Sequence, residues 1–393
     1  MRGREYDFLH LVAPLTETQF YSEFYEKKVC NIKRNQADYY KNLLSVELLD
    51  NVLYSQPLIF PRTKLVNAAY DLPLDPKLYT SDQHKIHKAK FLKHFSEGST
   101  MVFSGLHDHL PSLGLFCSYM SKYFSHEFQT NVYCTPPNSQ GFKTHYDTHD
   151  VFILQIEGSK KWRFYESPIQ LPLKTQPFID HKPGKLQQEV ILRAGDLLYI
   201  PRGIMHDAIS NNELSIHITA GLLGYTWSDF LVEAVLDLAH KDFRFRKNLP
   251  IGFGNKRIAA KAKPIFQELM NSFASKTRLT DGFERFYYEF ISHKNPNLPG
   301  QLRQIMLLSN ISCDSTVQRL TNVIFKISEN SKKIIIHLFG QNLEFPAFTK
   351  PAIRFLEQHE VFKISELPNC MNDKGKIVFA KRLVKEGLLH VLH

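Results

Sequence analysis

Between residues 100 and 225 the chain breaks into short runs rich in β-branched and aromatic residues: TNVYCTP, DVFILQIEG, KKWRFYE, EVILRAGDLLYIP and LSIHITAGLL. Branched and ring side chains pack well on a pleated surface, while the Pro, Gly and Asn residues between the runs end them. Several short strands with such punctuation point to a sandwich or a barrel. SNN at 210–212 lies between two apolar runs and predicts a hairpin turn.

The chemistry sits inside this block. In GFKTHYDTHDVFILQIEGSKKWRFYE, residues 141–166, His145 and Asp147 stand just ahead of the apolar run. Strand residues two apart project from one face, about 6–7 Å from each other along the chain, so both reach a single ion. Imidazole with carboxylate is a mixed nitrogen and oxygen set suited to Fe(II). Downstream, GDLLYIPRGIMHDA (195–208) reads as strand, tight turn and a new strand. Gly195 starts a turn, Pro201 ends the run, Gly203 permits an unusual backbone angle, and His206 begins the next strand. A barrel places that strand beside the first, and His206 then completes two imidazoles and one carboxylate with three coordination positions open. Taken singly, each has a plainer reading: H-x-D as the polar face of an edge strand, His206 as a buried structural histidine.

The flanking segments mix helix and strand. Thr16 or Thr18 is positioned to cap a helix through QFYSEFYEKK, and Ser45 one across VELLDNVL. LIFPRTKLVN reads as a short strand pair broken at Pro61. After Tyr225 the period becomes helical: Trp227, Phe230, Leu231, Ala234, Val235 and Leu238 share a face, with Asp229 in the first turn. Helical patterns follow in AKPIFQELMNSFAS and DGFERFYYEFISH, then a loop at NPNLPG (295–300). The last part gives a β-run in KKIIIHLFG, helices in PAIRFLEQHE and KIVFAKRLVKEGLL, and a final strand after Gly387. No internal repeat or low-complexity tract interrupts this order.

With 393 residues, 43% hydrophobic and 22% charged, the chain has enough apolar surface for two or three folded domains. A net charge of +10 permits an anionic partner without establishing nucleic-acid binding. The five scattered cysteines contain no C-x-x-C, which disfavours a disulfide framework or a structural zinc and fits a reducing, cytoplasmic setting. MRGREYDFLH is too charged for a signal peptide, and no run is long and apolar enough to span a bilayer, so no membrane partner is expected.

The spacing G-x5-P-x-G-x2-H from Gly195 to His206 resembles the second cupin motif, and H-x-D in place of H-x-H resembles the JmjC type of Fe(II)- and 2-oxoglutarate-dependent oxygenase. More narrowly, TPPNSQGFKTHYDTHDVFILQIEGSKKWRFY, the entry segment FYSEFYEKKVCNIKRN and the tail PAIRFLEQHEVFKISELPN resemble the ribosomal oxygenase group, densely between Asn131 and His217. That resemblance implies a mainly β fold with α elements: a double-stranded β-helix catalytic domain over 1–225, a helical dimerisation region over 226–320, and a winged-helix-like domain over 321–393. It assigns His145, Asp147 and His206 to the metal, with Fe(II), 2-oxoglutarate and O2 as cofactors. Lys160 matches the cation that pairs with the distal carboxylate of 2-oxoglutarate, and Lys161 is the fallback, since neighbours in a strand face opposite ways. Asn131 matches a polar pocket position; Tyr133 and Thr219 are further hydrogen-bonding candidates. Ser159 departs from the group's second basic residue, and Ser210 from the Asn often found after the distal His. His149 is read as a rim residue, and Arg202 as an entrance or solvated arginine.

The implied activity is hydroxylation of a protein or peptide side chain, with Arg or His of a ribosomal protein as precedents, by a homodimer. Two other readings use the same residues: a non-catalytic barrel and winged-helix interaction protein, and a cupin oxygenase acting on a small molecule. Lys376, Lys381, Arg382 and Lys385 leave nucleic-acid binding by the terminal helix open.

Overall fold

A computed structural model of the chain describes residues 7–70, 74–179 and 182–392; residues 1–6 of the charged opening segment lie outside it. Up to residue 223 the described residues form strands β1 (Cys30–Ile32), β2 (Thr63–Val66), β3 (Thr100–Ser104), β4 (Glu127–Thr135), β5 (Asp150–Glu157), β6 (Ser159–Tyr165), β7 (Leu186–Arg193), β8 (Leu197–Ile200), β9 (Met205–Ser210) and β10 (Ser215–Leu223). Seven of them join in the order β1-β8-β5-β10-β4-β3-β2, and three form a second sheet, β7-β6-β9.

The two sheets are held together by a shared core. Val151 and Ile153 of β5 and Leu198 and Ile200 of β8 pack with Trp162 and Phe164 of β6 and Val190 and Leu192 of β7. The alternate residues of β5, Phe152, Leu154 and Ile156, face a larger cluster that includes Phe8, Phe20 and Tyr40 from the N-terminal segments. A strand covered on both faces has no position left for a solvated side chain, which explains why VFILQI carries so little alternation. Two facing antiparallel sheets built this way match the sandwich or barrel read from the runs and the double-stranded β-helix that the resemblance implies.

Local signals held where the chain alone decides. Thr16 caps the helix Glu17–Glu23 by accepting from the Gln19 amide, and Gln19 Oε1 accepts from the Thr16 amide in return; Ser45 accepts from the Leu48 amide ahead of Val46–Ser55. Two predictions need correcting. LIFPRTKLVN forms one strand, Thr63–Val66, while Ile59 makes only an isolated bridge to Lys85. SNN closes no hairpin, because β9 pairs with β6 and β10 pairs with β4 and β5. Residues 211–214 therefore cross between sheets; turn residues reverse the chain but do not choose its next partner.

Beyond residue 223 the chain interleaves two compact units, residues 224–295 with 324–347 in one, and 296–323 with 348–393 grouped with the barrel in the other. The expected division was consecutive, 226–320 then 321–393. Strands Lys326–Glu329, Lys333–Leu338 and Gln341–Pro346 instead form their own sheet, and Ile324 packs on Phe290 and Ile291 of the preceding helical part. Thr226 and Asp229 cap Trp227–Lys241 reciprocally. Of that helix's predicted face, Phe230, Ala234 and Leu238 are buried, whereas Trp227 and Leu231 stay exposed. In the other unit Thr316–Arg319 pairs between Val361–Lys363 and Leu389–Val391, beside helices Lys350–Gln358 and Asp373–Lys385. Among the described residues, no helix is long and apolar enough to cross a membrane.

Candidate active site

His145 and Asp147 lie in the segment ahead of β5, and His206 is the second residue of β9. Backbone hydrogen bonds join the two stretches. The His145 amide donates to the His206 carbonyl (3.0 Å), the His206 amide to the His145 carbonyl (2.8 Å), and the Gly203 amide to the Asp147 carbonyl (2.9 Å). The glycines of the second motif are required by these turns. Gly203 has φ +86°, and a Cβ there would stand 2.8 Å from the Ile169 carbonyl oxygen; Gly195 has φ +89°, and a Cβ would meet the Gln36 carbonyl oxygen at 2.0 Å.

One ligand atom from each of His145, Asp147 and His206 lies within 4.8 Å of the other two. His206 Nε2 is 3.9 Å from Asp147 Oδ2, and the imidazole centroids are 4.8 Å apart. Each ring turns its Nδ1 to a carbonyl oxygen two residues back, Lys143 for His145 and Ile204 for His206, both at 2.8 Å. A neutral imidazole so oriented donates from Nδ1 and keeps the Nε2 lone pair for an ion. Burial and the neighbouring His145 push His206 down to about 4, against the pull of Asp147. Burial opposes the charge of Asp147, yet the imidazoles of His206, His145 and His149 outweigh it and hold the carboxyl below its usual range. Two imidazoles and one carboxylate with unspent lone pairs are the donor set a divalent ion of the iron type takes, so the residues present fit such a metal.

The triad opens into a cavity of about 250 Å³ that also exposes Lys160, Trp162, Tyr133, His217 and Thr219. Alternation along β6 sends the two lysines to opposite faces: Lys160 is 4% exposed and points inward with Trp162, while Lys161 is only half-buried. Lys160 Nζ donates to Thr135 Oγ1 at 2.9 Å, and burial pushes its pKa down to about 7. A buried ammonium is a receptor for an anion. Tyr133 and Thr219 also line the cavity. Asn131 stands one step back, hydrogen-bonding the Tyr133 side chain rather than facing the cavity.

The ring of His149 lies beside Gly221 of β10. Arg202 is neither solvated nor at the entrance. It is a half-buried ion-pair centre, with Nη1 at 2.5 Å from Glu26 and 3.0 Å from Asp150, whose other carboxylate oxygen accepts from the Tyr199 hydroxyl. Ser159 and Ser210 also have structural partners: Ser159 donates to Glu213, and Ser210 donates to the Pro136 carbonyl while accepting from the Ser139 amide. Lys376 is buried, donating to the Ser365 carbonyl and Asn369, and so offers nothing to a nucleic acid.

Sequence reasoning missed two residues. His217, opposite Tyr133 on β10, stacks on its ring at 4.8 Å and 8°, and burial, reinforced by Lys160, drives its pKa well down. The signal was present, since His217 shares a strand face with Thr219. Asp207 is buried beside His206 with several side-chain partners, and nothing in the sequence marked it.

A family model described as a JmjC domain matches residues 108–230, which include the whole triad. A bifunctional lysine-specific demethylase and histidyl-hydroxylase NO66 of Dictyostelium discoideum is 32% identical over 250 residues, covering 61% of this chain and 48% of that protein. The chain spans about half the length, or less, of the curated relatives it matches first. The ribosomal oxygenase YcfD of Escherichia coli shares the fold with a TM-score of 0.55 at 16% identity, covering 96% of this chain and 98% of YcfD. Its structure with cobalt and 2-oxoglutarate aligns with a TM-score of 0.52 at 15% identity, over 97% and 99% of the two chains.

Proposed function

We propose that this chain, which carries a JmjC domain, is an Fe(II)- and 2-oxoglutarate-dependent oxygenase that hydroxylates a side chain of a protein or peptide, with an Arg or His of a ribosomal protein as the target. The observation that carries this reading is the convergence of His145, Asp147 and His206 at a cavity whose wall also holds the buried cation Lys160. His145, Asp147 and His206 would hold the iron. Iron bound there would supply oxygen activation coupled to conversion of 2-oxoglutarate to succinate and CO2.

The rest falls to the protein's own groups. Lys160 binds the far carboxylate of the cosubstrate, and Thr135 orients its ammonium. Tyr133 and Thr219 offer hydroxyls along the same wall, and Trp162 and Ile153 exclude water beside them. The half-exposed side of His145 and Asp147, next to exposed Phe142, leaves an open approach for a polypeptide side chain. Relatives named for histidyl hydroxylation and for ribosomal oxygenation support that substrate class.

We read the helical region 226–320 as a dimerisation region, supported by the exposed Trp227, Leu231, Val232 and Leu236 along one of its helices. The three-stranded sheet and two helices within 316–391 serve as a winged-helix-like interaction module. The five cysteines form no disulfide with one another and three of them are buried, which accords with a reducing, cytoplasmic setting. The decisive experiment compares ribosomal proteins by mass spectrometry from cells with the parent gene and with Asp147→Ala. A peptide carrying one added oxygen only with the parent supports the assignment; identical spectra, with no succinate formed by the purified iron-loaded protein, overturn it.

A further inference from the structure

Asp207 follows His206 and is not in the ligand set, yet it is 3% exposed and its carboxylate is fully engaged. Oδ2 accepts from the Thr144 hydroxyl at 2.7 Å and the Tyr165 hydroxyl at 3.0 Å, and Oδ1 accepts from Arg163 Nε at 2.6 Å. These donors come from two places. Thr144 immediately precedes His145, while Arg163 and Tyr165 flank Phe164, the residue of β6 paired with His206. Arg163 Nη2 also reaches Gln140 Oε1 at 3.5 Å, farther back on the segment that carries His145.

That segment needs an anchor. Residues 136–149 belong to no named strand; they meet β9 through isolated bridges, Gln140 to Ile209 and His145 to His206, and through Ser210, which bonds Pro136 and Ser139 at the end far from the ligands. The three ligands thus depend on a loop keeping its distance from a strand. A buried carboxylate is costly to desolvate, and apolar residues would hold β6 against β9 as well. What an apolar residue could not supply is a directional link from the neighbour of His206 to the neighbour of His145.

We infer that Asp207 is a positioning residue: its carboxylate clamps Thr144 to β6 and β9 and so sets the separation of His145 and His206 for the metal. This rests on the reading of His145, Asp147 and His206 as metal ligands. Groups that orient first ligands commonly change metal affinity on the order of 10–100-fold when removed.

The test is titration of metal-free protein with Co(II), read by the visible absorption of the bound ion, alongside thermal unfolding. Thr144→Val removes one hydroxyl at constant shape. It is expected to leave the unfolding midpoint near the parent's while weakening Co(II) by about tenfold. Asp207→Asn is expected to weaken Co(II) further and shift the absorption bands, and Asp207→Glu to recover part of the loss. If Thr144→Val and Asp207→Asn both bind Co(II) within about twofold of the parent with unchanged bands, the clamp is overturned. Should Asp207→Asn fail to fold, Thr144→Val decides alone. A parent protein that binds no Co(II) overturns the ligand assignment itself, and the clamp with it.

Discussion

Lys160 is a cation with almost no water around it. Burial brings its pKa from the usual range to about 7, so without a bound anion the side chain is charged below that pH and largely neutral above it. A dicarboxylate binds the charged form. Affinity for 2-oxoglutarate is therefore expected to be flat below about pH 7 and to weaken above it, by up to tenfold per pH unit until the ligand-bound lysine itself titrates. Calorimetric titration of Mn(II)-loaded protein under anaerobic conditions, across pH 6 to 9, measures this. A pH-independent affinity would remove Lys160 from the role. Lys160→Met should cost about 2 kcal/mol of cosubstrate binding, roughly 30-fold, while leaving Mn(II) affinity intact. Lys161→Ala, on the opposite face of β6, should change neither. Alternation says only that one of these two lysines faces the pocket; the resemblance favours Lys160, and its burial puts that parity of β6 inward.

At the scale of elements, the turn between β8 and β9 does more than reverse the chain. Its Gly203 amide holds the Asp147 carbonyl, and its backbone has φ +86°. Gly203→Ala should cost about 1–3 kcal/mol of stability through left-handed strain and crowding against Ile169, as measured by urea unfolding. The motif spacing made this turn legible, since only glycine occupies such an angle freely. The neighbouring Arg202 was not legible: an arginine after Pro201 looks like a surface residue until Glu26 and Asp150 arrive beside it from distant parts of the chain. Arg202→Met is expected to destabilise the fold by about 2–4 kcal/mol, because Asp150 stays buried without its partner. An unfolding free energy unchanged from the parent's would return Arg202 to the surface. The misread at 210–212 has the same origin, as Ser210 and Ser215 end up in different sheets.

For the whole molecule, metal and cosubstrate should act as stabilising ligands of the folded barrel. At about 100 times the dissociation constant, a ligand that binds only the native state adds roughly 2.7 kcal/mol, so Mn(II) with a 2-oxoglutarate analogue should raise the unfolding midpoint of the parent. His206→Ala should abolish that rise, and a persistent rise would place the ligand elsewhere. Oligomeric state is a separate question. Leu231 and Leu236 are 48% and 51% exposed on the helix Trp227–Lys241. If that helix mediates a dimer, Leu231→Glu combined with Leu236→Glu should halve the mass found by sedimentation equilibrium without lowering the unfolding midpoint of the barrel. A parent that sediments as a monomer at all concentrations would end the dimer reading.

The order of residues by itself determined the β-rich block, the capped helices at its edges, and the two turns that only glycine allows. Each of these depends on neighbours within a few positions, where periodicity and backbone sterics act directly. It also named the three candidate ligands, because their spacing is local within each motif. Tertiary structure alone decided that β9 leaves β10 for β6, that segment 324–347 joins the helices before it, that Asp207 and Lys376 are buried, and that Arg202 is half-buried in an ion pair. Those outcomes depend on which distant segments meet. Burial of a charge is decided by the partner that neutralises it, and a sequence does not list its partners in space.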